Sequence, residues 1–395
     1  MGFEPYSESF AADPYPAYAA LRESAPFHCD ARFGMTFVSR YRDILAILTD
    51  RRFGRVPPPG REAATTRPPL PFYDRYVRVN LLETEGTTHR HLRRLLARAL
   101  NPSRIASLGR RVESIAKELV DRPRPGADVD FIAELSEPLP VIMIAELLGW
   151  PEDERYRLRP WSADIVRLYE KDASAEDATR AEAATREFAT MIDSLADERK
   201  ATPRPDLVSE LVAMEDEADG LTREQLIASC MLLLNAGHEA TVNAAGNGLL
   251  ALLRHTDAQD RLREEPALLE SAIEEMLRYD SPLHLFHRFA QEEIMIAGHR
   301  VPAGETVGLL YGSANRDPEM FEAPDTFDIS RRPNRHLAFG AAAHFCLGAT
   351  LARLELKSLM GALLAQSQRI ELVEDRPEYR SGLVFRGLKR LMIRF

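Results

Sequence analysis

Phe339-Gly340-Ala341-Ala342-Ala343-His344-Phe345-Cys346-Leu347-Gly348 sets one cysteine in a loop of small residues that opens onto an apolar-periodic stretch from Ala349 to Leu363. A cysteine at a helix start meets backbone N–H groups that lack helical partners and the positive end of the helix dipole, and both favour thiolate over thiol. Thiolate sulfur is a soft metal ligand. The Gly and Ala residues before it let the backbone lie close under something flat. The other two cysteines, Cys29 and Cys230, have no such setting and read as ordinary thiols.

Around that segment lies a chain of 395 residues, 45% hydrophobic and 28% charged, which is the composition of a globular protein with ample core. Three irregularly spaced cysteines make no disulfide framework, and no basic segment followed by an apolar run marks a signal peptide, so a reducing cytoplasm is expected. The most apolar stretches are Pro138 to Trp150, too short to span a bilayer, and Cys230 to Leu253, interrupted by Asn235, His238, Glu239 and Asn243. No membrane partner is expected. A net charge of −10 argues against nucleic-acid binding, which needs a basic footprint.

Along the chain, Tyr15 to Glu23 reads as an amphipathic helix, Phe27 to Val38 as a hairpin about Gly34, and Tyr41 to Leu48 as a second helix. Pro57, Pro58, Pro59, Gly60, Pro68, Pro69 and Pro71 then predict a long irregular loop of the kind that serves as a lid or binding loop. Helical periodicity dominates from Thr88 to Leu262. Its clearest helix begins at Thr222-Arg-Glu-Gln225, a capping-box pattern, and runs to about Arg254, roughly 50 Å at 1.5 Å per residue. Gly237 in its middle calls for a reason, either close approach of a ligand or helix–helix packing against a small residue. Short strands are expected within Phe286 to Tyr311, and a hairpin from Ser381-Gly382 to Arg394.

The cysteine segment resembles the haem-ligand signature of the cytochrome P450 family, F-G-x-G-x-H-x-C-x-G. Phe339, Gly340, His344, Cys346 and Gly348 match it, and Ala342 stands where the family has its second glycine. Ala236-Gly237-His238-Glu239-Ala240-Thr241 resembles the family's central-helix motif A-G-x-[D/E]-T, except that Ala240 occupies the threonine position. Glu275-Met-Leu-Arg278 with Arg331 resembles its structural Glu-Arg-Arg network. His89 and Arg93, four apart on one helical stripe, together with Arg288 and His336, match positions that hold the haem propionates.

The resemblance covers essentially the whole chain. It implies a mainly α fold with small β-sheets (α+β), a triangular P450-like prism with a long central helix over the haem, as one domain over residues 1–395. It implies haem b (iron protoporphyrin IX) on Cys346, with Phe339 shielding the sulfur and Ala236, His344 and Gly348 also beside the cofactor. The implied reaction is O2-dependent hydroxylation or epoxidation of a small apolar or aromatic molecule, with Glu239 and Thr241 in proton delivery. Electrons would come from a ferredoxin and ferredoxin reductase to a monomeric protein, and Arg90, Arg94 and Arg98 form a basic strip suited to an acidic donor. Candidate substrate contacts are Phe72, Tyr73 and Tyr76, Leu233 and Ala236, Leu285 and Phe286, and Val384 and Phe385. Desaturation, coupling or peroxide-driven oxidation would use the same residues. A noncatalytic recruitment module on this fold would need neither Cys346 nor Glu239.

Overall fold

The computed structural model describes residues 3–61, 67–100, 102–124, 126–367 and 369–395. It is mostly helical with small sheets, as expected. The chain divides into two compact units, Met1–Arg61 with Gly109–Leu139 and Ala240–Phe395, and Glu62–Leu108 with Pro140–Glu239.

The first unit holds a five-stranded sheet in the order Phe27–Asp30, Met35–Val38, Thr306–Leu310, Leu285–Ala290, Phe53–Gly54. Its hairpin turns at Gly34, whose φ of 60° suits a residue without Cβ. Strand Met35–Val38 then runs parallel to Thr306–Leu310, pairing Thr36 with Val307, although some 270 residues separate them in sequence. Val38, Ile44, Ile47, Val307, Leu309, Phe321 and Leu337 share one apolar core, so the sheet, helix Tyr41–Thr49 and the start of the cysteine segment are packed together.

The expected terminal hairpin does not form as one. Residues 379 and 388 make an isolated bridge, and Met392–Arg394 instead pairs with Asp128–Asp130 and Glu371–Leu372. Hairpin signals in sequence are local, whereas this strand's partners lie in distant parts of the chain.

The second unit is built on helix Ala175–Ala201, which opens with a capping box made by Ser174 and Asp177. Trp150 stacks on Phe188 at 5.5 Å, and Trp161 meets both rings edge-on. Part of the irregular 57–71 loop, residues 62–66, lies outside the described residues. Its end is not loop at all, because Pro71 begins the short helix Pro71–Val77, where its missing N–H costs nothing.

Helix Arg223–Arg254 belongs to both units. The Thr222 N–H donates to Gln225 Oε1 at 3.0 Å and the Gln225 N–H to Thr222 Oγ1 at 3.2 Å, so the capping box closes as the sequence predicts. Gly237 has one close neighbour, since a Cβ there would come within 3.1 Å of Ile144 Cδ1 on helix Pro138–Leu148.

Candidate functional site

The cysteine loop is anchored at its entry by Asn315, whose Oδ1 accepts the Leu337 N–H at 2.7 Å. The chain then bends twice through left-handed backbone, at Gly340 with φ 67° and at Ala342 with φ 56°. One 3-10 turn spans Ala342–His344. Cys346 follows with its N–H on Phe339 O at 2.9 Å, and helix Ala349–Gln366 begins three residues on. Cys346 is half-buried. A Cβ at Gly348 would sit 3.9 Å from its sulfur, so bare backbone lies beside the thiol.

Two residues that sequence reasoning missed frame this loop. Arg353 holds its guanidinium 4.5 Å over the Phe339 ring. Glu274 takes both Arg353 and His336. The signal for Arg353 was present, since it stands seven residues, two helical turns, beyond Cys346. Glu274 gave none, being one carboxylate among many on exposed-looking helix turns.

His336 keeps its side chain almost wholly buried at the loop entry. Its Nδ1 accepts the Ala338 N–H at 3.2 Å, which leaves the proton on Nε2, 3.2 Å from Glu274 Oε2. The ring thus braces the loop to helix Leu269–Tyr279.

Glu275 and Arg278 are fully buried and joined at 2.7 and 2.8 Å. Arg331 Nε reaches Glu275 at 3.2 Å, with the Asn334 amide and the Asp328 N–H on the same carboxylate. Arg278 also donates to Asn315, Pro324 and Thr326 carbonyls, saturating its charge. Removing one member of such a buried pair costs about 3–5 kcal/mol, far more than a surface i,i+3 pair. Through Asn315 the network joins the loop entry.

Arg288 is also buried in the first unit, and its Nη1 donates to His287 O at 2.9 Å. Arg55, a third residue missed in sequence, puts its own Nη1 on that same oxygen at 2.9 Å, and both guanidinium groups lie over the Phe286 ring. Leu285 and Val384 are buried, Phe286 and Phe385 partly so, and Thr241 is buried.

In the second unit, His89 is buried on helix Gly86–Ala99 and Arg93 is half-buried one turn on. Arg90, Arg94 and Arg98 are exposed on that helix, but Arg98 forms a two-bond pair with Glu217 at 2.9 and 3.0 Å. The strip therefore offers Arg90 and Arg94 rather than three equivalent cations. Tyr73 and Tyr76 are buried beside Arg67 and Arg75, and Phe72 is half-buried. Leu233, Ala236, Gly237 and Ala240 make one helical stripe that protein does not fully cover, and Ala236 is exposed between buried Asn235 and His238. Glu239 is half-buried. Within the first unit, the buried guanidinium groups of Arg55 and Arg288 suit carboxylates and the Cys346 thiol in its small-residue loop suits a soft metal, a donor set that fits haem.

The cytochrome P450 family model matches residues 171–385. Polyketide biosynthesis cytochrome P450 PksS of Bacillus subtilis is 35% identical over 99% of this chain and 98% of its own. The chain belongs to the cytochrome P450 family.

Cytochrome P450 monooxygenase PikC of Streptomyces venezuelae is 38% identical over 98% of this P450 and 92% of its own length. Among solved structures, P450BioI in complex with an acyl carrier protein carrying hexadec-9Z-enoic acid aligns at a TM-score of 0.92 and 34% identity, covering 98% of this chain and all of its own. This P450 is an oxidoreductase of the monooxygenase class that binds haem b through a cysteine thiolate. Among the described residues, no helix is long and apolar enough to cross a membrane.

Proposed function

We propose that this P450 is a haem-thiolate monooxygenase that hydroxylates or epoxidises an apolar organic molecule, with Cys346 as the residue whose thiolate would hold the haem iron. The observation that carries the assignment is the cysteine loop, in which Cys346 is fixed by its N–H to Phe339 O between two left-handed turns and a helix start. Haem b on a thiolate supplies reductive activation of O2 with O–O cleavage, at a cost of two electrons and two protons.

The chain's own residues do the rest. Phe339 covers the sulfur side of the loop under Arg353. His89, Arg93, Arg288 and His336 are assigned to hold the propionates. Glu239 holds and hands on protons. Thr241 sits one residue past the motif's usual place, turned by roughly 100°, so its hydroxyl reaches the relay only through water or through a polar group on the substrate. Residues 1–395 act as one catalytic domain, with helix Arg223–Arg254 continuous through both units.

Electrons are assigned to a ferredoxin and its reductase, received near Arg90 and Arg94, by a cytoplasmic monomer. PksS, named for polyketide biosynthesis, the vitamin D(3) 25-hydroxylase of Pseudonocardia autotrophica, and P450BioI with its hexadec-9Z-enoic acid put polyketides, vitamin D(3) and long-chain fatty acids in the first panel to try. The test is purification and titration with that panel, followed by the Soret band of the ligand-bound and reduced carbonyl forms. A long-wavelength carbonyl band lost in Cys346→Ala and kept in Cys29→Ala supports the reading. A band typical of histidine ligation in fresh protein overturns it.

A further inference from the structure

Two stretches of the first unit, residues 282–286 and 383–387, lie side by side without forming a regular sheet where they meet. Pro282 O accepts the Arg386 N–H at 2.9 Å, Val384 O accepts the His284 N–H at 2.8 Å, and Leu283 and Phe385 make an isolated antiparallel bridge. Together they carry Leu285, Phe286, Val384 and Phe385, four of the candidate substrate contacts. A short irregular wall of this kind needs something else to hold its register.

Asp280 supplies it. The residue caps helix Leu269–Tyr279, is buried, and its carboxylate takes Arg386 Nε at 2.6 Å, the Tyr15 hydroxyl at 2.6 Å and the Tyr379 hydroxyl at 2.8 Å. Burial alone would push this carboxyl up; the charge of Arg386 and the other partners reverse the direction and hold it below its usual range. Arg386, itself buried, spends its remaining donors on Ala11 O and Ala12 O. One Asn247 amide nitrogen then donates to Asp280 O at 3.2 Å and to Arg386 O at 2.9 Å, stitching the two stretches to helix Arg223–Arg254. Asn247 stands about two turns beyond Ala240 on that helix. Gly387 lies flush against the same helix, since a Cβ there would come within 1.9 Å of Asn243 Oδ1.

We propose that Asp280, Arg386 and Asn247 form a positioning joint that sets how far the Leu285-Phe286 and Val384-Phe385 wall stands from the Ala240-Thr241 turn, and so governs which substrate lengths fit and which carbon is oxidised. None of the three touches substrate. They act through the four wall residues, and the inference rests on the reading that this wall faces the substrate.

The probe is a series of N-alkylimidazoles from butyl to dodecyl, titrated into holoenzyme and read by the Soret shift, with imidazole itself as reference. Asn247→Ala and Tyr379→Phe each remove hydrogen bonds made by an uncharged donor and leave the Asp280–Arg386 charge pair. Both variants should retain the parent carbonyl band and imidazole affinity, while affinity for the longer chains relative to imidazole changes by about fourfold or more, the worth of one buried methylene. Phe286→Trp tests the wall itself. If Phe286→Trp alters the chain-length profile and the two joint variants do not, the joint is overturned. If none of the three alters it, the wall reading fails and takes the inference with it. If Lys389→Ala, which breaks only the exposed pair with Glu378, shifts the profile as much, the effect is general loosening and the joint is again overturned.

Discussion

Arg353 donates through Nε and Nη2 to the two oxygens of Glu274 at 2.7 and 2.8 Å, and so ties the helix that follows the cysteine loop to helix Leu269–Tyr279. Burial would raise the Glu274 carboxyl, but bonds from Arg353 and His336 prevail and hold it at about 2. A carboxyl lowered on folding stabilises the native state above the ordinary carboxylate range and loses that contribution as pH falls through the folded value. The loss should run from about pH 5 down to about pH 2 and amount to at most about 3 kcal/mol. Glu274→Gln should be less stable at pH 7 and show a shallower decline over that window, measured by denaturant unfolding at stepped pH.

Ala342 holds φ 56°, a region costing an L-residue roughly 1–2 kcal/mol. Ala342→Gly should therefore stabilise the protein by up to about 1 kcal/mol, after allowing for the greater freedom glycine gives the unfolded chain. Urea midpoints with an unchanged slope would show it, and the carbonyl band should not move.

The family signature made this position conspicuous as a mismatch, and the structure shows that the mismatch is in residue only, because the backbone keeps the glycine-like turn. Local patterns of this kind were legible throughout: the Thr222–Gln225 box, the Gly34 hairpin and the Glu275–Arg278 spacing each involve residues within a few positions of one another. What escaped were partners chosen by the tertiary fold. The Glu274 partner of His336, 62 residues away, had no local signal. Arg55 lay beside a proline-rich loop with nothing to mark it as a neighbour of Arg288.

Proton delivery should depend on Glu239. With the best-turned-over substrate, Glu239→Ala should lower product formed per reducing equivalent by about tenfold or more, with the missing oxygen released as peroxide. Thr241→Ala should do less, and Ala240→Thr should improve coupling for poor surrogate substrates. Intact rate and coupling in both Glu239→Ala and Thr241→Ala would refute the relay.

Charge reversal of Arg90 and Arg94 together should slow reduction by an acidic ferredoxin at low ionic strength, and added salt should shrink the difference. Arg98→Glu should slow it less, since Arg98 is already committed to Glu217. Stopped-flow reduction at two salt concentrations separates the cases, and equal rates at low salt would reduce the strip to a solvated face.

Arg386 binds the carbonyl of Ala11, a residue 375 positions earlier in the chain. During synthesis Ala11, Ala12 and Tyr15 leave the ribosome long before Arg386 exists, and they must wait, together with Asp280, for the 375 residues that separate Ala11 from Arg386 to be made. Completion of this part of the fold is therefore a late event. A nascent chain stalled before residue 386 should expose its N-terminal helices to proteases that the finished protein resists.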